Sequence, residues 1–288
     1  MPFIQLNSLN IHYQQKGSGS DLVLIHAFTS NSSMWMFTNI QDTLAADFRV
    51  TCYDLRGHGA TTVTPAGYTS DEMADDFLAL HTALELGPCV LIGHSFGGVI
   101  GIHTAVKRPD LVRGVIFSDT YFPGLRDLEP NMGQAEPWLE LQTQLSRCGV
   151  EIGETVDFSR LFREIRKMDE TQRKQLNEEM GIFGANWISR LGALADTTAG
   201  VDTFQESGLT ATEIASVQCP VLALYDEFSP FHKTREFLER ALPNVRSEIV
   251  PGAKHLAPIQ STDAFLSYVR EGAMQFTQDS ATLTGDHS

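Results

Sequence analysis

The stretch Gly93-His94-Ser95-Phe96-Gly97-Gly98 restricts what this chain can fold into more than any other segment. It follows the apolar run Cys89-Val90-Leu91-Ile92 and precedes the small and apolar run Gly97-Gly98-Val99-Ile100-Gly101-Ile102. A buried strand, a very tight turn and a helix lying close to a sheet satisfy that pattern together. Gly93 and Gly97 keep side chains out of a turn too crowded for a Cβ, and Ser95 is left exposed at the tip. A G-x-S-x-G spacing between strand and helix is the arrangement that presents a nucleophilic serine.

The flanking chain supplies a sheet for that turn. Residues 3–6 and 9–14 alternate around Asn7-Ser8 and read as a hairpin. Residues 22–26 form a run of the kind buried on both faces of a parallel sheet. A helix is expected over 32–45, a strand over 49–54, and a helix opening at Thr69-Ser70-Asp71-Glu72 with Met73, Phe77, Leu80 and Leu84 on one face. After the turn come a helix over 96–107 and a strand over 112–118. The alternation then stops from about 121 to 216, where the apolar spacing is helical throughout: Trp138/Leu141/Leu145, Phe158/Leu161/Phe162/Ile165/Met168 and Trp187/Ile188/Leu191/Leu194. It resumes with strands over 220–225 and 246–250 and helices over 231–241 and 261–270. The expected fold class is α/β, a doubly wound, mostly parallel eight-stranded sheet. Residues 1–120 and 217–275 are expected to form its core, 121–216 an all-helical cap inserted after strand six, and 276–288 a flexible tail. Such an insertion sits over the strand ends, where ligands of this sheet type bind.

Composition narrows the partners. A formal net charge of −15 over 288 residues argues against nucleic acid or an anionic membrane as a partner, because phosphate binding needs a basic surface. No apolar run approaches the length of a membrane span, and the first residues lack a charged-then-apolar signal pattern. The four cysteines, Cys52, Cys89, Cys148 and Cys219, have no C-x-x-C spacing; free thiols in a reducing compartment are expected, and the cytoplasm is the default location. No metal-ligand spacing such as H-E-x-x-H occurs, and no second glycine-rich loop suggests a cofactor, so neither is expected.

The order of these elements resembles the α/β-hydrolase fold superfamily, in its serine-nucleophile branch with a helical cap. The resemblance spans about residues 3 to 270 and rests on four stretches: His26-Ala-Phe-Thr, Asp54-Leu-Arg-Gly-His-Gly, the Ser95 turn, and Gly252-Ala-Lys-His255. It implies Ser95 as nucleophile, His255 as general base, and the backbone N–H groups of Phe28 and Phe96 as an oxyanion hole. The usual run after strand seven, P-V-L-x-x-x-G-x-x-D, is altered: the glycine position holds Asp226 and the acid position holds Ser229. Serine cannot supply the negative charge that stabilises an imidazolium. Some relatives carry the acid at the end of strand six, which points to Asp119, with Asp226 as second choice and Glu227 beside it.

A serine at this turn implies acyl transfer, and the first strands look most like enol-lactonases, carboxylesterases and cofactor-free haloperoxidases. The expected activity is hydrolysis of a small carboxylic ester or lactone through an acyl-Ser95 intermediate. Ring-closing acyl transfer and carbon–carbon hydrolysis use the same triad, and a non-catalytic ligand receptor on the same fold is the alternative from another class. The substrate is expected to be a small molecule, neutral or moderately hydrophobic, in a pocket lined by Trp35, Phe122, Trp138, Phe183 and Trp187.

Overall fold

Adjacent β-strands bury alternate residues on opposite faces, and the central strands carry apolar side chains at nearly every position. The structure, a computed structural model, describes residues 2–6, 8–132 and 136–282, without the side chains at 136–137, 182–183, 185–187 and 279–282. Its sheet has eight strands: β1 (Phe3–Leu6), β2 (Leu9–Lys16), β3 (Asp21–Ile25), β4 (Arg49–Tyr53), β5 (Cys89–His94), β6 (Val112–Ser118), β7 (Val221–Asp226) and β8 (Val245–Val250). The spatial order is β1-β2-β4-β3-β5-β6-β7-β8. Only β2 runs against its neighbours; every pairing from β4 to β8 is parallel.

The alternation sorts the core into two layers. Val23, Ile25, Leu91, Val115, Phe117 and Tyr225 face one side, with α3 (Ser70–Ala83) and α4 (Phe96–Lys107). Leu22, Leu24, Val90, Ile92, Ile116 and Leu224 face the other, with α1 (Ser33–Phe37), α2 (Ile40–Leu44) and α12 (Thr262–Thr282). The start of α3 is a capping box in which Thr69 and Glu72 each satisfy the other's backbone N–H.

Two expectations are corrected here. The helix expected over 32–45 is two short helices, because Asn39 adopts a left-handed conformation (φ 57°) between them. The last helix does not stop at Arg270 but continues to Thr282, so part of the stretch expected as a loose tail is helical. Phe276 explains the extension: it is buried in the second layer and packs where a Cβ on Gly114 of β6 would sit.

Between β6 and β7 lie α5 (Glu136–Arg147), α6 (Phe158–Lys167), α7 (Glu170–Arg190), α8 (Ala199–Asp202) and α9 (Ala211–Ala215), and no strand occurs among the described residues there. The backbone of α7 breaks at Gly181 (φ 70°, ψ 164°). Of the remaining helices, α10 (His232–Ala241) joins β7 to β8, and the short α11 (Ala257–Gln260) lies between β8 and α12. Among the described residues no helix is long and apolar enough to cross a membrane.

Candidate active site

In a parallel sheet the loops after adjacent strands emerge side by side, and β3 and β5 are the neighbours at which chain order reverses. That puts the loop at residues 26–29 beside the turn at Ser95. The turn is as crowded as its glycines suggested: a Cβ on Gly97 would lie 2.2 Å from the Ile25 carbonyl oxygen, and one on Gly93 would lie 2.3 Å from the Gly97 carbonyl carbon. Ser95 takes φ 51° and ψ −119°, a conformation costly for any residue with a Cβ. It is held there from β6. The Ser95 N–H donates to the Ser118 carbonyl (2.8 Å), and the Thr120 hydroxyl donates to the Ser95 carbonyl (3.0 Å).

Strain is concentrated at this place. Seven non-glycine residues among those described have positive φ, and four of them are Thr29, Ser95, Asp119 and His255. Such conformations persist only where the surroundings enforce them, at about 1–3 kcal/mol each. Ser95→Gly is expected to relieve more strain than the roughly 0.5–1 kcal/mol glycine costs in chain entropy. The net gain is on the order of 1 kcal/mol, or about 2–4 °C in Tm. Ser95→Ala keeps its Cβ and should melt with the wild type; calorimetry that finds all three proteins equal would mean the turn is unstrained.

β6, β7 and β8 deliver the remaining polar groups in order. His255, in the loop after β8, donates from ring Nδ1 to Asp119 Oδ2 at 2.6 Å. Asp119 is fully buried at the end of β6. Asp226, at the end of β7, meets the same histidine differently. Its Oδ2 accepts the backbone N–H groups of His255 (2.8 Å) and Ala257 (3.1 Å), while its own N–H donates to Asp119 Oδ1 (3.2 Å). Of the two carboxylates, Asp119 orients the ring and Asp226 holds the backbone that carries it. Burial, followed by the negative charge of Asp119, pushes the Asp226 carboxyl above the usual range.

The histidines are sorted by their surroundings. Burial pulls His255 down, but the hydrogen bond and charge of Asp119, with the charge of Asp226, leave it raised. His94 and His58 are each lowered to about 3, by burial first, and His26 is lowered for the same reason. Those three are neutral at neutral pH. His26 accepts the Leu55 N–H at Nε2 (2.9 Å) and donates from Nδ1 to the Ala27 carbonyl (2.7 Å). His58 accepts the Thr29 N–H at Nε2 (3.2 Å) and donates to the Arg56 carbonyl (2.7 Å). Asp54 adds a third tie, accepting the Ser32 N–H at 2.7 Å. The loop bearing Phe28 is therefore tied down at Ala27, Thr29 and Ser32. Neither the Phe28 nor the Phe96 N–H has a hydrogen-bond partner among the described residues, and the two rings meet edge-on at 5.8 Å.

Ser95, Phe96, Phe28 and His255 all line one cavity of about 1730 Å³. A smaller cavity, about 570 Å³ at the start of β7 and β8, is lined by Arg113, Asn244 and Arg246 but by no serine, histidine or acid. A second Ser–His–Asp contact, Ser70 Oγ to His103 Nδ1 (3.0 Å) with Asp71 near His103 Nε2 (3.2 Å), joins α3 to α4. Ser70 and His103 are buried and do not line the large cavity.

The expected pocket residues divide. Trp138 lines the cavity, edge-on to Phe158 at 5.8 Å. Trp35 does not: it is fully buried in the opposite layer, stacked on Phe265, while its neighbours Met34, Met36 and Phe37 reach the cavity. Phe122 does not either; it packs edge-on to Phe117 in the core, and Tyr121 and Pro123 line the cavity instead. The side chains of Phe183 and Trp187 lie outside the described residues. Sequence reasoning missed Thr120, whose signal was its place directly after the strand-end acid, and Phe231, which stands edge-on to the His255 ring at 5.7 Å.

The fold is matched by the comparisons. Residues 22–262 match the alpha/beta hydrolase fold family, and the chain belongs to it. A 2-(acetamidomethylene)succinate hydrolase of Mesorhizobium japonicum is 34% identical over 116 residues, which span 40% of this chain and only 41% of that relative. A putative non-heme chloroperoxidase of Synechocystis is 27% identical over 88% of this chain and 93% of its own. A thermophilic esterase from Thermogutta terrifontis superposes with a TM-score of 0.68 at 22% identity, covering 96% of this chain and 98% of that one.

Proposed function

We propose that the protein is a serine hydrolase that cleaves a carboxylic ester or lactone through an acyl-Ser95 intermediate, with residues 121–216 acting as a cap. The observation that carries this reading is the 2.6 Å His255–Asp119 hydrogen bond on a histidine that shares a cavity with a strained, turn-tip serine. With Nδ1–H donated to Asp119, neutral His255 keeps a lone pair on Nε2. It takes the Ser95 hydroxyl proton as Oγ attacks the carbonyl carbon. The carbonyl π pair becomes an oxyanion that accepts the N–H groups of Phe28 and Phe96. Collapse expels the alcohol, which takes the proton back from His255. Water then repeats the sequence, giving the acid and free Ser95. The buried charge of Asp119 stabilises the imidazolium in both halves.

Four free cysteines among the described residues suit a reducing compartment, and the cytoplasm is the location we propose. The test of the activity is covalent. An ethyl-substituted fluorophosphonate should add one adduct per chain, mapped by peptide mass spectrometry to Ser95 and lost in Ser95→Ala. Absence of an adduct, or an adduct that survives the substitution, for example on Ser70, would sink the reading; so would stoichiometric ester binding without turnover, the behaviour of a receptor.

A further inference from the structure

Half of the large apolar side chains that the fold leaves exposed surround one opening. Eight are exposed among the described residues, and Phe3, Phe37 (66%), Leu256 and Ile259 (54%) also line the cavity of Ser95. They come from three separate parts of the chain: β1, the last residue of α1, and the segment that begins one residue after His255. Scattered exposed apolar residues need no explanation, but a group drawn from distant segments to the rim of one cavity marks contact with an apolar ligand. The wall behind the rim is of the same kind, with Leu141, Phe158, Met180 and Phe204. At about 1730 Å³ the cavity exceeds the roughly 300–1,000 Å³ that serves a drug-sized ligand. An acetate ester or a small lactone would leave most of that wall facing water.

We infer that the scissile ester carries a medium- to long-chain hydrocarbon group, which runs from Ser95 along the apolar wall to the rim at Leu256 and Ile259. The inference rests on the serine-hydrolase reading and replaces its "small" substrate with an extended, neutral and apolar one. Each methylene moved from water onto the wall contributes up to about 0.8 kcal/mol, a factor of about four in kcat/KM.

The experiment is a chain-length series on the full chain: p-nitrophenyl acetate, butyrate, octanoate and decanoate, then decyl acetate against ethyl decanoate. The expected result is a two- to fourfold rise in kcat/KM per methylene up to octanoate. The last pair tells whether the acyl or the alcohol side holds the chain. Ile259→Glu, at an exposed position the fold tolerates, should lower the octanoate-to-acetate ratio at least tenfold. A flat or falling acyl series with decyl acetate hydrolysed no faster than ethyl decanoate overturns the inference even where Ser95 takes the fluorophosphonate, and so does a chain-length preference that Ile259→Glu leaves unchanged. If Ser95 takes no label, the underlying reading fails and this one with it.

Discussion

Asp119→Asn is expected to lower kcat by about 10⁴, the scale of the analogous change in other serine triads. Two losses act together. An amide nitrogen turned toward Nδ1 would stabilise the wrong tautomer of His255, and the charge that offsets the imidazolium disappears. Asp226→Asn should cost no more than about tenfold, because an amide oxygen can still accept the two N–H groups of His255 and Ala257 that Asp226 Oδ2 accepts now. The pH profile offers a second readout. The general base must be unprotonated, so the rate falls as pH falls through the His255 pKa. That pKa is raised, which puts the acid limb of wild-type kcat/KM above pH 6.5. Removing the Asp119 charge leaves burial as the dominant influence, so the limb should move to lower pH in Asp119→Asn. The opposite ranking of the two Asn variants in steady-state assays would transfer the acid's role to Asp226.

Ser95→Ala is expected to cost still more, on the order of 10⁶ in kcat. The variant keeps the Phe28 and Phe96 N–H groups, His255 and Asp119, so what remains is water attack assisted by the oxyanion donors, on the order of 10³ above the uncatalysed rate. The double variant Ser95→Ala/Asp119→Asn should then lose almost nothing further, since the acid acts only through a histidine that has lost its nucleophile. Additive losses in that pair, measured on one activated ester, would mean that Asp119 works independently of Ser95.

The elbow was legible because steric demands at a tight turn leave few residue choices, and α4 begins and ends where the sequence placed it. The carboxylate partner of His255 was legible through an exclusion: Ser229 stands where an acid is usual, which left the end of β6, and Asp119 there is hydrogen-bonded to His255. The role of Asp226 was not legible, since a backbone acceptor leaves no mark on local periodicity. Trp35 was misassigned because spacing identifies which residues are apolar but not which of two layers they enter; Phe122 shares the layer of the cavity but packs on Phe117 instead of lining it. Left-handed Asn39 breaks the segment into α1 and α2, and Trp35 turns to Phe265 rather than to the cavity.

From β5 to β8 the strands lie side by side in the order in which they are made. A chain emerging from the ribosome can therefore add each new strand to an edge already formed. Ser95 and Asp119 are in place early, but the histidine joins Asp119 across 136 residues, after the whole helical insertion has been synthesised. Until β8 docks, β7 is a bare edge and the cavity of Ser95 lacks its histidine from the loop after β8. The nascent chain thus brings the histidine to Asp119 only after β8 has been made, when β7 is covered and the helical insertion is present.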